Sequence, residues 1–257
     1  MRIALKIDIP DRRAAAAVPA LIDILRRHHA GASFASLPDH AEHMKVAAEA
    51  GFEVGLRVIA TPPWWSHLTK ETAEKYEERL LVLHSGFEAA LGTPPRLHAA
   101  ADWQTSPHGL RLTQRLGFAY ASDTRGRHPF LPVWDGEIVR CPQIPTTLPT
   151  LEELAALESA SSPVDELLAL TANRSPLGHV FSLRLTPALT AAPAPLEALL
   201  TNWREQGYEL TSIQTLASQL DMDKLARHEI VVGKAPGRSG TLLLQGEEFL
   251  ASWRQPA

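Results

Sequence analysis

The chain has 257 residues, 45% hydrophobic and 21% charged, enough for a substantial core in one large domain or two small ones. Its 25 Lys and Arg against 29 Asp and Glu leave a formal net charge of -4, which lacks the basic footprint of a nucleic-acid binder. One cysteine, Cys141, excludes an internal disulfide or a thiolate metal cluster and points to a reduced compartment.

No stretch reaches the roughly 20 apolar residues of a spanning helix, and "MRIALKIDIP" is too short an apolar run for a signal peptide. The expectation is therefore no transmembrane segment and a cytoplasmic location, with peripheral contact at the inner membrane left open.

In chain order, "RIALKIDI" (2–9) alternates like a core strand, and "DRRAAAAVPALIDILRRHHA" carries apolar residues at helical spacing. "GASFASL" reads as a second strand, "DHAEHMKVAAEAG" as a helix and "FEVGLRVIA" as a third strand. Thr69 to Leu91, opened by the capping pattern "TKET", is the clearest helix. "RLHAAA", "SPHGLRLTQRLG" and "FAYASD" continue as strand, helix and strand, and 127–150 reads as an irregular Pro-rich stretch. Helices near 151–158 and 163–173 precede the strand "HVFSLRL", the helix "PLEALLTNWREQG", the strand "YELTSI" and the helix "QTLASQLD". Repeated strand–helix units argue for a parallel α/β sheet or barrel without an internal repeat or linker. At the end, "HEIVVGKAPGRSGTLLLQGEEFLASW" has strand-like runs around a Gly-rich turn that lacks the Gly-Lys-Ser/Thr ending of a phosphate loop.

Sites in such folds gather at the C-terminal ends of strands. Those ends hold Asp8, Arg57 to Thr61, Asp102 with Trp103, Asp123 to Arg125, and Arg184. With the stretches "LKID", "FEVGL", "AAADWQ", "YASDTRG", "PQIPTTLPT", "GHVFSL" and "GRSG" in order along the chain, the sequence resembles the polysaccharide deacetylases of the NodB-homology class, nearest their formamido-arabinose-phosphoundecaprenol deformylase branch. The resemblance implies an α/β fold, a distorted (β/α) barrel, over residues 1–257 as a single domain, with 221–257 as a C-terminal extension packing on it. It also implies metal-assisted hydrolysis of an amide on a sugar. In that chemistry one Asp and two His hold a metal, a first Asp takes a proton, and a late His protonates the leaving amine.

Residue by residue, Asp8 matches the base, but Pro10 stands where the metal-binding carboxylate belongs. Arg57 and Thr61 occupy the positions of both His ligands, and Arg184 that of the late His. Arginine cannot deprotonate to serve as a ligand. The expectation is a catalytically degenerate homologue without metal or other cofactor, inactive alone. It would act as a binding or regulatory partner, for example of a catalytically complete deacetylase or deformylase in lipid-linked amino-sugar metabolism.

Two alternatives stand beside it. One is an active metal-dependent deacetylase or deformylase using displaced histidines, with His40, His43, His98, His128 and His179 as candidates. The other is a protein binding an anionic sugar, an amino sugar or sugar phosphate, through Arg57, Arg125 and Arg184. Arg57 and Arg184 are expected at neighbouring strand ends, pairing with Asp8 and with Asp102, which replaces a usual glycine. Trp64, Trp65 and Trp103 are candidates for a sugar-stacking surface or for a cover over the barrel. The connection "SFASLPDHAEHMKVAAEAGFEVG" lacks the long segment that the resembling deformylases carry toward their membrane-held substrate.

Overall fold

A computed structural model describes residues 1–59, 70–159, 161–172 and 177–249. The strands are β1 (Arg2–Asp8), β2 (Ser33–Ser36), β3 (Glu53–Val58), β4 (Leu97–Ala100), β5 (Tyr120–Ala121), β6 (Leu131–Trp134), β7 (Glu137–Ile138), β8 (His179–Arg184), β9 (Glu209–Thr211), β10 (Arg227–Gly233) and β11 (Leu242–Glu248). Seven of them form a parallel sheet in the order β5-β4-β3-β2-β1-β8, with β9 also on β1. One edge of β1 is taken by β8 along Ile3–Asp8; the other is shared, β9 pairing with Arg2–Ala4 and β2 with Lys6–Asp8.

The sheet curls into a distorted (β/α) barrel, and the Pro-rich stretch closes it. Ala121 N donates to Pro142 O and Ile144 N to Ala121 O on the β5 side, while Thr147 N and Leu148 N donate to Val180 O of β8. Extended backbone at 142–148 thus bridges the two ends of the sheet.

Strand alternation sorts the side chains. Ile3, Leu5 and Ile7 of β1 and Phe181 and Leu183 of β8 face an outer layer containing α2 (Val18–Arg27), α3 (Ala41–Glu49) and α9 (Ala194–Glu205). On α2 the buried set Val18, Leu21, Ile22, Ile24 and Leu25 recurs at helical spacing, each large aliphatic contributing about 2 kcal/mol on burial. Inside the barrel, Ala4, Leu97, Tyr120, Ile144, Val180 and Ile213 form an apolar plug. Gly55 of the "EVGL" motif is required there, because a Cβ at that position would come within 2.7 Å of Leu97 Cγ. Below the plug, burial raises the Glu53 pKa, and the carboxylate accepts hydrogen bonds from Ser33 Oγ, from Tyr120 OH at 2.6 Å and from Gln214 N at 2.7 Å. Above the plug lie Lys6, Asp8, Ser182 and Arg184, at the end where the strands finish.

Several sequence expectations need correction. The stretch 127–150, read as irregular, contains β6 and β7, which join β10 and β11 in a second sheet of order β11-β10-β6-β7. Pro132 inside β6 hid it; β6 makes a short parallel pairing with β10. A helix at Pro187–Ala191, absent from the sequence reading, is capped by Thr186 Oγ1 accepting from Leu189 N. The expected strand end at Ser212 and Ile213 instead opens a helix, with Ser212 Oγ accepting from Thr215 N. The helix expected from Thr69 is described from Lys70 to Leu91 as α4. Among the described residues, no helix is long and apolar enough to cross a membrane.

Candidate functional site

A cleft of ≈ 350 Å³ opens at the C-terminal ends of β1, β4 and β8. Its walls come from these strands, the turn after β4, the start of α6 (Leu151–Ala155) and the loop between β10 and β11. Lys6 and Asp8 lie on one face of β1, two residues apart. Asp102, Trp103, Arg184 and Arg238 stand around them, with the hydroxyls of Thr150, Ser182 and Ser239.

Three ion-pair arrangements organise this end of the barrel. Deepest is Arg57, whose Nε donates to Asp8 Oδ1 at 2.5 Å and Nη2 to Oδ2 at 3.4 Å, with 4% and 17% of the two side chains exposed. The Arg57 Nη1 is buried without a partner among the described residues. Arg125 Nη1 lies against both Glu153 oxygens, at 2.9 and 2.8 Å, and its Nη2 donates to Leu148 O at 3.0 Å. Glu153 is itself set by a capping box with Thr150 at the start of α6. Outermost is Asp102, whose Oδ1 lies 2.6 Å from Arg238 Nη2 and 3.9 Å from Arg184 Nη1.

Trp103 joins the second and third of these. Lys6 Nζ, Arg125 Cζ and Arg238 Cζ stand 5.2, 4.7 and 4.9 Å from its ring centroid, and its Nε1 donates to Thr146 Oγ1 at 2.9 Å. Only 5% of Trp103 is exposed, so the indole is a packed hub and not an open stacking platform. Asp102 and Trp103 both adopt left-handed backbone, φ 54°, a costly geometry for two successive residues with side chains.

Lys6 donates to Ser122 O at 2.9 Å. Burial pushes its pKa down to about 8, against the opposing pull of the Asp8 and Asp123 carboxylates.

Asp8, Asp102, Trp103 and Arg184 line the cleft, whereas Arg57 and Arg125 stand behind its wall, engaged by Asp8 and Glu153. The expected adjacency of Arg57 and Arg184 is corrected. Their strands β3 and β8 are separated by β2 and β1, and Arg184 reaches Asp102, while among the described residues Asp8 is ion-paired with Arg57. Trp64, Trp65 and Thr61 lie outside the described residues.

The five candidate histidines are dispersed. His40 Nδ1 is 3.0 Å from Ser36 Oγ, and burial lowers its pKa; His43 lies beside Glu42. His98, fully buried, sits 2.7 Å from Asp123 Oδ1 on the outer side of β4, packed edge-on against Phe118. His128 packs edge-on against His228, and His179 is at the far end of β8, where burial lowers its pKa. Among the described residues no three His, Cys, Asp or Glu side chains are grouped to hold a metal ion. The donor set that the resemblance implies does not fit a metal either: a guanidinium sits on Asp8, and proline and arginine stand at ligand positions.

Sequence reading missed Lys6, Glu153 and Arg238 as members of the site. Period-two alternation from Asp8 finds Lys6, the Thr-x-x-Glu pattern finds Glu153, and "GRSG" contains Arg238.

No family model matches the sequence. A probable 4-deoxy-4-formamido-L-arabinose-phosphoundecaprenol deformylase ArnD of Shewanella sediminis (strain HAW-EB3) is 27% identical over 205 residues, 79% of this chain and 65% of that protein. Its namesake from Wigglesworthia glossinidia brevipalpis is 28% identical over 115 residues, 44% of this chain and 40% of that one. The chain thus spans less than two thirds of the curated relatives it matches. Among solved structures, a putative polysaccharide deacetylase from Mycobacterium smegmatis shares the fold with a TM-score of 0.61 at 17% identity, over 91% of this chain and 95% of that one. BA3943, a CE4 family pseudoenzyme from Bacillus anthracis, does so with a TM-score of 0.57 at 17% identity, over 89% of this chain and 69% of that one. With its motifs in order around a distorted barrel, the chain shares the fold of the polysaccharide deacetylases and resembles the formamido-arabinose-phosphoundecaprenol deformylases in sequence.

Proposed function

We propose that this protein is a catalytically degenerate deacetylase homologue that binds a sugar ligand or a partner protein without hydrolysing an amide. One observation carries the reading: the Arg57 guanidinium is buried against Asp8, the carboxylate at the catalytic-base position, at 2.5 Å. The Asp8 oxygen in that pair is already occupied by a guanidinium donor, and a fixed positive charge stands where the resemblance implies a metal-binding imidazole. The cleft in front of the pair remains large enough for a small ligand. Such loss has a precedent in the family, since BA3943 is described as a pseudoenzyme and one of its mutants as having restored enzymatic activity.

The binding role extends to regulation of a catalytically complete deacetylase or deformylase acting on lipid-linked amino sugars. Co-purification with such a relative from the same cells tests that extension, and a strictly solitary protein counts against it.

The test of the central reading is metal analysis of protein purified with zinc, nickel or cobalt, paired with hydrolysis assays on N-formyl and N-acetyl amino sugars. The expected result is substoichiometric metal and no released formate or acetate. A combined Pro10→Asp, Arg57→His, Thr61→His and Arg184→His variant should take up one metal ion per chain. Stoichiometric metal with amide hydrolysis by the unaltered protein overturns the reading.

A further inference from the structure

Lys6 is unlike the other lysines of the described residues. Lys45, Lys75, Lys224 and Lys234 are exposed at the surface, whereas Lys6 is 4% exposed and lines the cleft from β1. Its Nζ donates to a neutral acceptor, Ser122 O, at 2.9 Å. The two carboxylates that pull on it are engaged elsewhere: Asp8 by Arg57 at 2.5 Å, and Asp123 by Ala100 N at 2.7 Å, by Gln143 Nε2 at 3.3 Å and by the His98 ring. The amine is thus held by a carbonyl, which an uncharged nitrogen satisfies while keeping its lone pair.

The surroundings favour that uncharged form. Arg125 and Arg238 share the Trp103 ring with Lys6, at 4.7 and 4.9 Å from its centroid. Burial, with repulsion from Arg125 and Arg57, outweighs the attraction of Asp8 and Asp123. With a pKa of about 8, about a tenth of Lys6 is unprotonated at pH 7, against roughly one in three thousand for an ordinary lysine. Ser182 pairs in register with Lys6 across β8 and β1 and lines the same cleft, so a hydroxyl stands beside the amine. The cleft, at ≈ 350 Å³, has room for a small molecule against both.

We propose that Lys6 is a nucleophilic amine that captures small aldehydes entering the cleft, holding them as an imine on Nζ. The nitrogen lone pair forms a C–N bond to the carbonyl carbon as the carbonyl π bond breaks. The oxygen then leaves as water with the two amine protons, the Ser182 hydroxyl relaying them, and the C=N bond is complete. No co-reactant is needed, and added water reverses the step. This goes beyond the binding reading above and rests only on the cleft being open to a small molecule.

The unaltered protein is incubated with propanal and sodium cyanoborohydride, whose hydride reduces an imine to a stable secondary amine, and each lysine is quantified by peptide mass mapping. At pH 7 Lys6 is expected to be modified about tenfold faster than Lys45, Lys224 and Lys234. The preference should shrink as pH rises toward 10.5, where a lowered pKa gives no advantage. Unfolding in urea should abolish it at pH 7. Lys6→Arg keeps the charge without the nucleophile and should lose the fast adduct while the slow labelling of the exposed lysines is unchanged, with thermal melts confirming a folded chain.

Lys6 left unmodified in the folded protein, or modified no faster than the exposed lysines at pH 7, overturns the imine, and neither result depends on a variant folding. A fast adduct that persists after unfolding in urea overturns it too, since the cleft would then play no part. If metal-dependent amide hydrolysis appears together with the fast adduct, the degenerate reading falls and the imine stands. If neither appears, the imine falls and the degenerate reading stands.

Discussion

The Arg57 guanidinium and the Asp8 carboxylate are locked together across the barrel mouth, Nε to Oδ1 at 2.5 Å, although their strands β3 and β1 are separated by β2. The pair cross-links the rim at the point where the family's chemistry would start. Removing one partner leaves a charge stranded in a poorly hydrated place.

Asp8→Asn is therefore expected to lower the unfolding free energy by about 3 kcal/mol, whereas Asp8→Asn combined with Arg57→Met should recover most of that loss. Urea denaturation of the two single variants and the double variant measures the coupling. Additive losses would show that the pair contributes nothing as a pair.

Lys6 makes stability depend on pH in a stated direction. Its pKa is about 8 in the folded protein against 10.5 for the free side chain, so between those values the unfolded chain binds more protons. Unfolding free energy from this group then rises as pH increases from about 8 to 10.5, and the burial cost is fully felt below 8. The amplitude is of order 3 kcal/mol. In Lys6→Met this contribution vanishes, so the stability difference between variant and parent should narrow steadily across that range in urea titrations. A constant difference from pH 7 to pH 10 would contradict the burial of a charged amine.

Gly237 holds the cleft's outer wall. Its φ is +72°, and a Cβ built there would overlap the Glu153 carbonyl oxygen. Gly237→Ala should cost about 2 kcal/mol or more and move Arg238 away from Asp102. Thermal melts read the cost, and as Arg238 leaves the Trp103 ring the tryptophan emission should shift to the red and become more open to acrylamide quenching. An unchanged melting temperature would mean that the loop yields freely.

Cys141 is 3% exposed, and burial pushes its thiol pKa up to about 12. The folded protein should therefore resist a thiol-specific disulfide reagent at pH 8, while the urea-unfolded chain reacts with one equivalent. Equal rates in the two states would contradict a buried thiol.

Legibility from sequence follows the physics of each element. The β1, β3 and β8 strands are plain because alternating Ile, Leu, Val and Phe face the outer helices while Lys6, Asp8, Arg57 and Arg184 interrupt on the other face. The long α4 carries its helical spacing in a single run. By contrast, β6 pairs with the short β7 and with β10, nearly a hundred residues away, and no local pattern encodes such a partner.

The site divides the same way. Asp8 and Arg184 follow from strand ends and family motifs, but the choice of partner for each arginine depends on barrel geometry. The sequence reading set Arg57 and Arg184 on neighbouring strand ends, whereas it is Asp8 and Arg184 whose backbones pair in register. The longer reach of the guanidinium carries it out to Asp102. Trp103, conspicuous in sequence as a surface aromatic, is buried because three cations and the Thr146 hydroxyl gather around it.

The parallel pairing of β6 with β10 and the loop between β10 and β11 also bear on the order in which the walls of the cleft assemble. During synthesis the residues of β1 to β9 are all available before Arg227 emerges, so the main sheet can close while the cleft still lacks its outer wall. Arg238 arrives with the last strands, through contacts of very long sequence separation that form slowly. The outer wall of the cleft, with Gly237, Arg238 and Ser239, is therefore expected to be the last part of it to form.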